Sequence, residues 1–236
     1  MQKKYKIILV IIAGIALVLA LLWYYQQQGL LKVFPTAEDR LIKKLTVIDR
    51  SKFKSPEGLS EEKLQEAISR LEQQRDKILE NPKDSQAWFD FAHTKEFLND
   101  HAGAAAAWEK SFELQPYNFI TSGNLGNVYE YFLKDYPKSE FYYLKSLEVK
   151  PDNRSAYDGL ADLYRYNWSG KADLLEPLLL AAIEKDPTNN VAYYATLVEF
   201  FASSNNWDKA RAYLENVVKL NSEKAKELLE AYPALK

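Results

Sequence analysis

The sequence predicts an all-α protein in which a solenoid of paired helices follows one N-terminal transmembrane helix. Three observations predict this class. An apolar segment without charges opens the chain at residues 7–25. Four prolines then recur at gaps of 34, 35 and 36 residues, at Pro82, Pro116, Pro151 and Pro187. Glycine is limited to 8 residues and proline to 9, fewer turn formers than long β meanders usually need.

The composition narrows the classes of partner. The 236 residues carry a net charge of −2, so no basic field points to nucleic acid. There is no cysteine, which excludes disulfides, thiolate nucleophiles and zinc–thiolate sites. Because the net charge is slightly negative, we expect no nucleic-acid partner.

The apolar segment is the first element. Its 19 uncharged positions, residues 7–25, reach about 28 Å as a helix, close to the hydrocarbon thickness of a bilayer. Three lysines precede it, at Lys3, Lys4 and Lys6. By the positive-inside rule we expect residues 1–6 in the cytoplasm, 7–25 as a single-pass helix in the cell membrane, and the rest on the extracytoplasmic side.

A cleaved signal peptide is the competing interpretation of this segment. Residues 18–20, Val-Leu-Ala, form a weak cleavage site. The apolar run nevertheless continues through residues 21–22 to three aromatic residues at 23–25, which are typical of a membrane interface. This length favours an anchor that is not cleaved.

A juxtamembrane connector, residues 26–59, and a leading helix, residues 60–81, come next. Thr36 with Asp39 three residues later is a capping pattern, which predicts a short helix ending near Asp49. The letters SKFKSPEG, residues 51–58, predict a turn. Ser60 followed by two glutamates predicts the start of a longer helix.

Between the prolines one pattern recurs in four units over residues 82–221. Six residues after the proline stands an aromatic ring in three units, at Trp88, Tyr157 and Tyr193, with Ser122 in the remaining unit. Later a small residue is followed four positions on by a large one, as in Ala104 with Trp108 and Ser139 with Tyr143. These spacings place the side chains on one helix face, and polar breaks divide each unit into two helices.

The alanine-rich stretch AGAAAAWEKSFELQP, residues 102–116, belongs to this pattern. We expect Ala104 to be a close contact between paired helices and Trp108 to fill the space beside it. The other alanines are interpreted as good helix formers at positions of little demand, that is, positions that require little besides helix formation. Each proline is expected where the second helix of a unit must stop.

The period and these positions resemble the tetratricopeptide repeat (TPR) family. The resemblance covers residues 82 to about 222, with residues 222–236 similar to a C-terminal capping helix. The sequence departs from the family pattern at Ser122, Lys95, Leu175 and Thr196. In the third unit, a helix capped by Asp173 would hold Pro177 at its fourth position, where proline removes a backbone hydrogen bond.

The resemblance implies a right-handed superhelix whose concave face is built from the first helix of each unit. The ligand-facing positions that it implies are Phe89, Asp90, His93, Phe97, Ile120, Asn124, Asn127, Tyr131, Asp158, Asp162, Arg165, Tyr166, Tyr194, Val198 and Phe201. Asparagine donates and accepts hydrogen bonds, so Asn124 and Asn127 suit an extended peptide backbone. For each ring, the alternative is that it only packs between units.

One family subtype is disfavoured by the residues present. TPR adaptors of chaperones hold a C-terminal carboxylate with basic residues and asparagines. Asn124 matches this clamp, but Phe89, Ser155 and Gly159 stand at its basic positions. Without those charges a terminal carboxylate gains little.

An enzyme is the weakest interpretation. The chain has two histidines, His93 and His101, and Asp90 lies three residues before the first of them. No glycine-rich phosphate loop, nucleophile motif or third metal ligand accompanies this pair. We therefore expect neither catalysis nor a cofactor nor a metal site.

These expectations combine into a membrane-tethered scaffold. The array would bind protein or peptide segments in its concave groove and assist assembly, secretion or maturation on the extracytoplasmic side of a membrane. The alternative is a receptor facing the cytosol, similar to organelle import receptors. The array could also form a homo-oligomer.

Overall fold

The computed structural model describes residues 2–29, 35–53 and 59–236. The chain divides into two compact units, of which the first ends at Val47 and the second starts at Ile48. Within the described residues every regular element is helical and no strand occurs. The all-α prediction is therefore confirmed for this part of the chain.

The described residues of the first unit form two helices. Helix α1 spans Gln2–Gln27 and helix α2 spans Ala37–Leu45. Thr36 caps α2: its Oγ1 accepts a hydrogen bond from the amide of Asp39, and the Asp39 carboxylate accepts one from the amide of Thr36. The predicted cap is confirmed, although the helix ends at Leu45, four residues before Asp49.

The membrane prediction is corrected here. A crossing helix must keep about 20 consecutive residues apolar, because the hydrocarbon core offers no partner to polar groups. Within residues 2–29, 35–53 and 59–236, no helix combines the required length and apolar character. The predicted transmembrane helix at 7–25 is therefore wrong, as is the single-pass location with its cytoplasmic N-terminus and extracytoplasmic array.

The second unit is a series of helices, most of which contact the helices next to them in the chain. It begins with a 3-10 turn at Arg50–Lys52; the predicted turn at 51–58 lies largely outside the described residues. Ten α-helices follow within the described chain, with these bounds: α3 Glu61–Glu80, α4 Ser85–Phe97, α5 His101–Leu114, α6 Phe119–Val128, α7 Tyr136–Val149, α8 Arg154–Asp162, α9 Leu175–Lys185, α10 Asn190–Ser203, α11 Trp207–Leu220 and α12 Ser222–Ala231.

The four prolines end the units as predicted. Each lies in the connection that follows a helix, and none interrupts one. The aromatic residue six positions later reaches back to that connection. Trp88 Nε1 donates to the carbonyl of Pro82 at 2.9 Å, and Tyr157 Oη donates to the carbonyl of Pro151 at 3.0 Å. The recurring spacing thus has a physical cause, since one ring fills the core and closes the preceding turn.

The alanines of α5 are more deeply buried than predicted. Ala104 and Trp108 lie in the core, as expected. Ala105 and Ala107 are buried as well, with exposures of 2% and 0%, so a larger side chain would not fit at either position. The interpretation of these two as positions of little demand is wrong, because α5 packs against both α4 and α6.

Two departures from the repeat pattern are explained by local contacts. Lys95 stands where other units carry a ring; its buried Nζ lies 2.6 Å from Asp100 Oδ2 and 5.2 Å from the centre of the Phe91 ring. Pro177 does not break α9, because that helix starts at Leu175 after a 3-10 segment, Ser169–Leu174. The proline therefore falls in the first turn, where no backbone donor is needed.

Two helices end in a π-helical turn. Residues Tyr129–Leu133 continue α6, and Leu163–Asn167 continue α8. Such turns are rare and change the direction of the side chains that follow them. Both lie at the same end of the first helix in their units, beside the site described next.

Candidate functional site

A pocket of about 440 Å³ lies between α6 and α8. These are the first helices of two consecutive units, and α7 lies behind them. The lining residues are Phe119, Ile120, Gly123, Asn124, Asn127, Tyr131, Tyr143, Asn153, Ser155, Asp158, Gly159 and Asp162. The sequence-predicted positions Ile120, Asn124, Asn127, Tyr131, Asp158 and Asp162 therefore lie together.

The α6 wall presents amides. Asn118 caps this helix by accepting hydrogen bonds from the amides of Ile120 and Thr121, which fixes where the helix begins. Asn124 and Asn127 lie three residues apart and both line the pocket. Asn124 is half-buried and Asn127 is exposed. Two amides on one wall can each donate to and accept from a bound backbone.

The α8 wall presents carboxylates. Asp158 and Asp162 are four residues apart, so they occupy the same helix face. Tyr131 Oη, from the π-helical turn that follows α6, donates to Asp162 Oδ2 at 2.9 Å and joins the two walls. Asp158 Oδ2 accepts from Arg154 Nε at 3.2 Å, in a pair of which both side chains are about half exposed.

The back of the pocket is the ring of Tyr143. This ring of α7 is 3% exposed and lies between two glycines. A Cβ atom at Gly126 would stand 2.5 Å from Tyr143 Cδ1, and one at Gly159 would stand 2.4 Å from Tyr143 Cζ. No real Cβ contact is this short, so both positions require glycine for the ring to keep its place.

A buried carboxylate holds the Tyr143 hydroxyl. Tyr143 Oη donates to Glu130 Oε2 at 2.9 Å, and Asn167 Nδ2 donates to Glu130 Oε1 at 2.8 Å. Glu130 and Asn167 belong to the two π-helical turns, so this network connects neighbouring units behind the pocket. Burial raises the pKa of Glu130, and the negative charge of Asp162 raises it further, against the opposing effect of the two hydrogen bonds.

The remaining predicted residues lie outside this pocket lining. In α4, Phe89 is half-buried while His93 and Phe97 are exposed. In the second π-helical turn, Tyr166 is exposed and Arg165 Nη1 lies 3.1 Å from Glu199 Oε2. Tyr194 is half-buried in α10 and packs near Tyr213. The structure therefore does not bring all predicted positions into one site.

Two predicted ligand-facing positions belong to the core. Phe201 is 7% exposed, and its ring stacks on Tyr213 with 5.8 Å between centroids. Val198 is fully buried in the same cluster. Their placement on a ligand-facing surface is corrected, because α10 turns this face towards α11.

Sequence reasoning missed Tyr143, Glu130, Phe119 and Asn153 as parts of this site. Tyr143 was recognised only as the large residue of the repeat pattern. The pair Gly126 and Gly159 could have indicated the position of Tyr143. The chain has only 8 glycines, and a glycine within each of the two flanking helices indicates that another group packs closely against both. Glu130 gave no signal, because its burial depends on the π-helical turn.

The histidines do not form an acid–base pair with Asp90. Asp90 Oδ1 accepts a hydrogen bond from Gln86 Nε2 at 2.7 Å, and His93 is exposed beside it. His101 stacks on the ring of Phe132, with 3.6 Å between centroids. These geometries give no support to a catalytic role for either residue.

Comparison with known proteins places the helices of the second unit in a familiar fold. The tetratricopeptide repeat model matches residues 122–153, which carry most of α6, all of α7 and half of the pocket lining. No curated protein matches the chain significantly. Several solved structures, however, match the chain significantly.

Three solved structures illustrate the similarity. MamA aligns over 82% of this chain and 99% of its own, with 13% identity and a TM-score of 0.57. A double mutant of MamA RS-1 aligns over 84% and 98%, with 15% identity and a TM-score of 0.55. YrrB, a TPR protein with an unusual peptide-binding site, aligns over 70% and 93%, with 21% identity and a TM-score of 0.50.

At these identities the structures show a shared fold and nothing finer. TPR proteins in general mediate protein–protein interactions, and they are typically scaffolds without catalytic activity. The family model thus identifies a tetratricopeptide repeat at residues 122–153, and the solved structures show that the helical array shares the fold of a TPR protein.

Proposed function

We propose that this chain is a protein-interaction module that binds an extended segment of a partner protein in the pocket between α6 and α8. The observation that carries the proposal is the convergence of Asn124 and Asn127 on one side with Asn153 and Ser155 on the other. A peptide backbone alternates donors and acceptors, and amide and hydroxyl side chains satisfy both.

The dimensions and surroundings of the pocket support this use. Its volume of about 440 Å³ falls within the usual range of ligand sites. Phe119 and Ile120 at one end offer apolar surface that a partner side chain can cover. YrrB, which shares the fold, has a peptide-binding site, so the fold accommodates such a ligand.

The proposal is limited to partner binding. The roles in secretion, envelope assembly or import depended on a membrane helix, and they are withdrawn with it. Of the chaperone clamp, Asn124 is present, but Ser155 and Gly159 of the pocket lining stand at two of its basic positions. A terminal carboxylate therefore remains a poor candidate for the ligand.

The test is peptide binding by variants of the two asparagines. We expect the double variant Asn124→Ala with Asn127→Ala to reduce binding to a library of short peptides with blocked termini by at least about tenfold, because each lost hydrogen bond contributes about 1 kcal/mol. Circular dichroism verifies that the variant is folded. Asn216→Ala, in α11 outside the pocket lining, is the matched control. Undiminished binding by a folded double variant contradicts the proposal.

A further inference from the structure

We infer that the pocket selects segments that carry a lysine or arginine side chain, seated beside Asp158 and Asp162 on the α8 wall. This inference rests on the proposed function and deepens it, because it names the chemical class of the partner segment.

The charge of the lining is the first argument. The residues that line the pocket include two carboxylates, Asp158 and Asp162, and no lysine, arginine or histidine. The other polar groups of this lining are neutral amides and hydroxyls. A cation that enters the pocket is attracted by both carboxylates, whereas an anionic side chain is repelled.

The unused acceptor capacity of the two carboxylates is the second argument. A carboxylate offers about four lone-pair sites. Asp162 uses Oδ2 for the Tyr131 hydroxyl, and Asp158 uses Oδ2 for Arg154. Both therefore keep acceptor sites for an ammonium or guanidinium group, which supplies several donors at once.

Of the nearby cations, Arg154 and Arg165 pair with other residues, and Lys150 Nζ lies over the ring of Phe119, 5.1 Å from its centroid. Arg154 is about half exposed and also donates from Nη1 to Asn189 Oδ1 at 2.7 Å. Arg165 pairs with Glu199 at 3.1 Å. An exposed pair such as that of Arg154 and Asp158 contributes little to stability, so a ligand cation can displace or share it.

The carboxylates also repel one another. Burial raises the pKa of Asp158, and the negative charges of Asp162 and Asp186 add to this effect, while Arg154 opposes it. A bound cation removes this repulsion, so it is stabilised by more than one carboxylate. The apolar surface of Phe119, Ile120 and Tyr143 can cover the hydrocarbon stem of such a side chain.

The experiment compares peptide pools with the full chain. Each pool consists of short peptides with blocked termini that are random except for one central residue, fixed as lysine, arginine, glutamine or glutamate. We expect the lysine and arginine pools to bind at least about tenfold more tightly than the glutamine pool, and the glutamate pool to bind weakest. The preference should shrink as salt is raised, because the site is open to solvent.

Variants identify the residues responsible. Asp158→Asn with Asp162→Asn keeps the shape of both side chains, and it should abolish the preference for basic pools while weak binding of the glutamine pool persists. Asp173→Asn with Asp208→Asn removes the same charge outside the pocket lining and should preserve the preference.

Two other outcomes separate the inference from the proposed function. If all pools bind equally and binding still requires Asn124 and Asn127, the charge preference is overturned and the groove stands. If no pool binds, or if binding does not depend on Asn124 and Asn127, the proposed function is wrong and the inference is wrong with it.

Discussion

Tyr143 shows how a single side chain determines the shape of the pocket. Its ring occupies the space that Cβ atoms at Gly126 and Gly159 would fill, and its hydroxyl is held by the buried carboxylate of Glu130. Gly123 lies on the same helix as Gly126, but a Cβ there would meet only Ser146 Oγ at 3.8 Å. A Cβ atom is therefore excluded at Gly126 and Gly159 by the ring of Tyr143, whereas Gly123 has room for one.

This difference predicts opposite effects of the same substitution. Gly159→Ala or Gly126→Ala should lower the free energy of unfolding by about 1 to 3 kcal/mol, because the buried ring must move. Gly123→Ala should raise it by about 0.5 to 1 kcal/mol, since alanine is the better helix former and the space is free. Urea denaturation measures both. Equal effects at Gly123 and Gly159 would show that the ring is not confined.

At the scale of elements, the π-helical turns decide what the first helices present. The resemblance to the TPR family implies that Tyr131, Arg165 and Tyr166 face a ligand, but all three lie in π-helical turns. The same turns bury Glu130 and place the half-buried Asn167 beside it, so that the two residues hydrogen-bond across neighbouring units. A turn without a signal in the sequence therefore changed the surroundings of several predicted residues.

The buried Glu130 makes stability depend on pH. Its folded pKa is raised above the ordinary value of about 4.3, so its neutral form stabilises the fold below that value. This contribution is lost as the pH rises through the folded pKa. Relative to Glu130→Gln, the native chain should therefore become less stable across this window, by about 1.4 kcal/mol for each pKa unit between the folded and unfolded states.

Glu109 supplies a control of opposite sign. Burial alone would raise the pKa of this carboxylate, but hydrogen bonds from Tyr129 and Lys138 outweigh it and the pKa is lowered. Relative to Glu109→Gln, the native chain should gain stability as the pH rises through the lowered pKa towards the ordinary value, and keep it above. Chemical denaturation across a pH series tests both variants. Parallel curves for the two would contradict the assignment at Glu130.

For the whole second unit, stability should depend on contacts between neighbours. Helices of this unit pack mainly on those next to them in sequence, as in other repeat arrays. Helix α12 covers the last pair, contacting α10 and α11, and buries Ala225 and Leu228. Damage at this end should therefore stay local.

Leu228→Ala tests this locality. Leu228 is 2% exposed, so truncation should cost about 2 to 5 kcal/mol of local stability. Amide hydrogen exchange should accelerate in α10, α11 and α12 and remain unchanged in α4 and α5. Leu220→Ala, at a side chain that is 52% exposed, should change neither region measurably. Equal acceleration in α4 would indicate one cooperative unit instead.

Much of the helical architecture was predictable from local chemistry. The prolines at the unit ends, the ring six residues later and the caps Thr36 and Ser60 act over a few residues, so the sequence expresses them directly. The membrane segment shows the limit of such reasoning. Apolar letters at 7–25 predicted a span, and the structure offers no helix in its described residues that qualifies as one.

The sequence by itself determined the period, the paired helices and the faces on which Asn124, Asn127, Asp158 and Asp162 lie, because spacing fixes which residues share a helix face. Only the tertiary structure decided that these four converge while Phe201 is buried, since that depends on how each helix is rotated against its neighbours. It also decided the burial of Glu130 and the position of Tyr143, because contacts between residues distant in sequence select them.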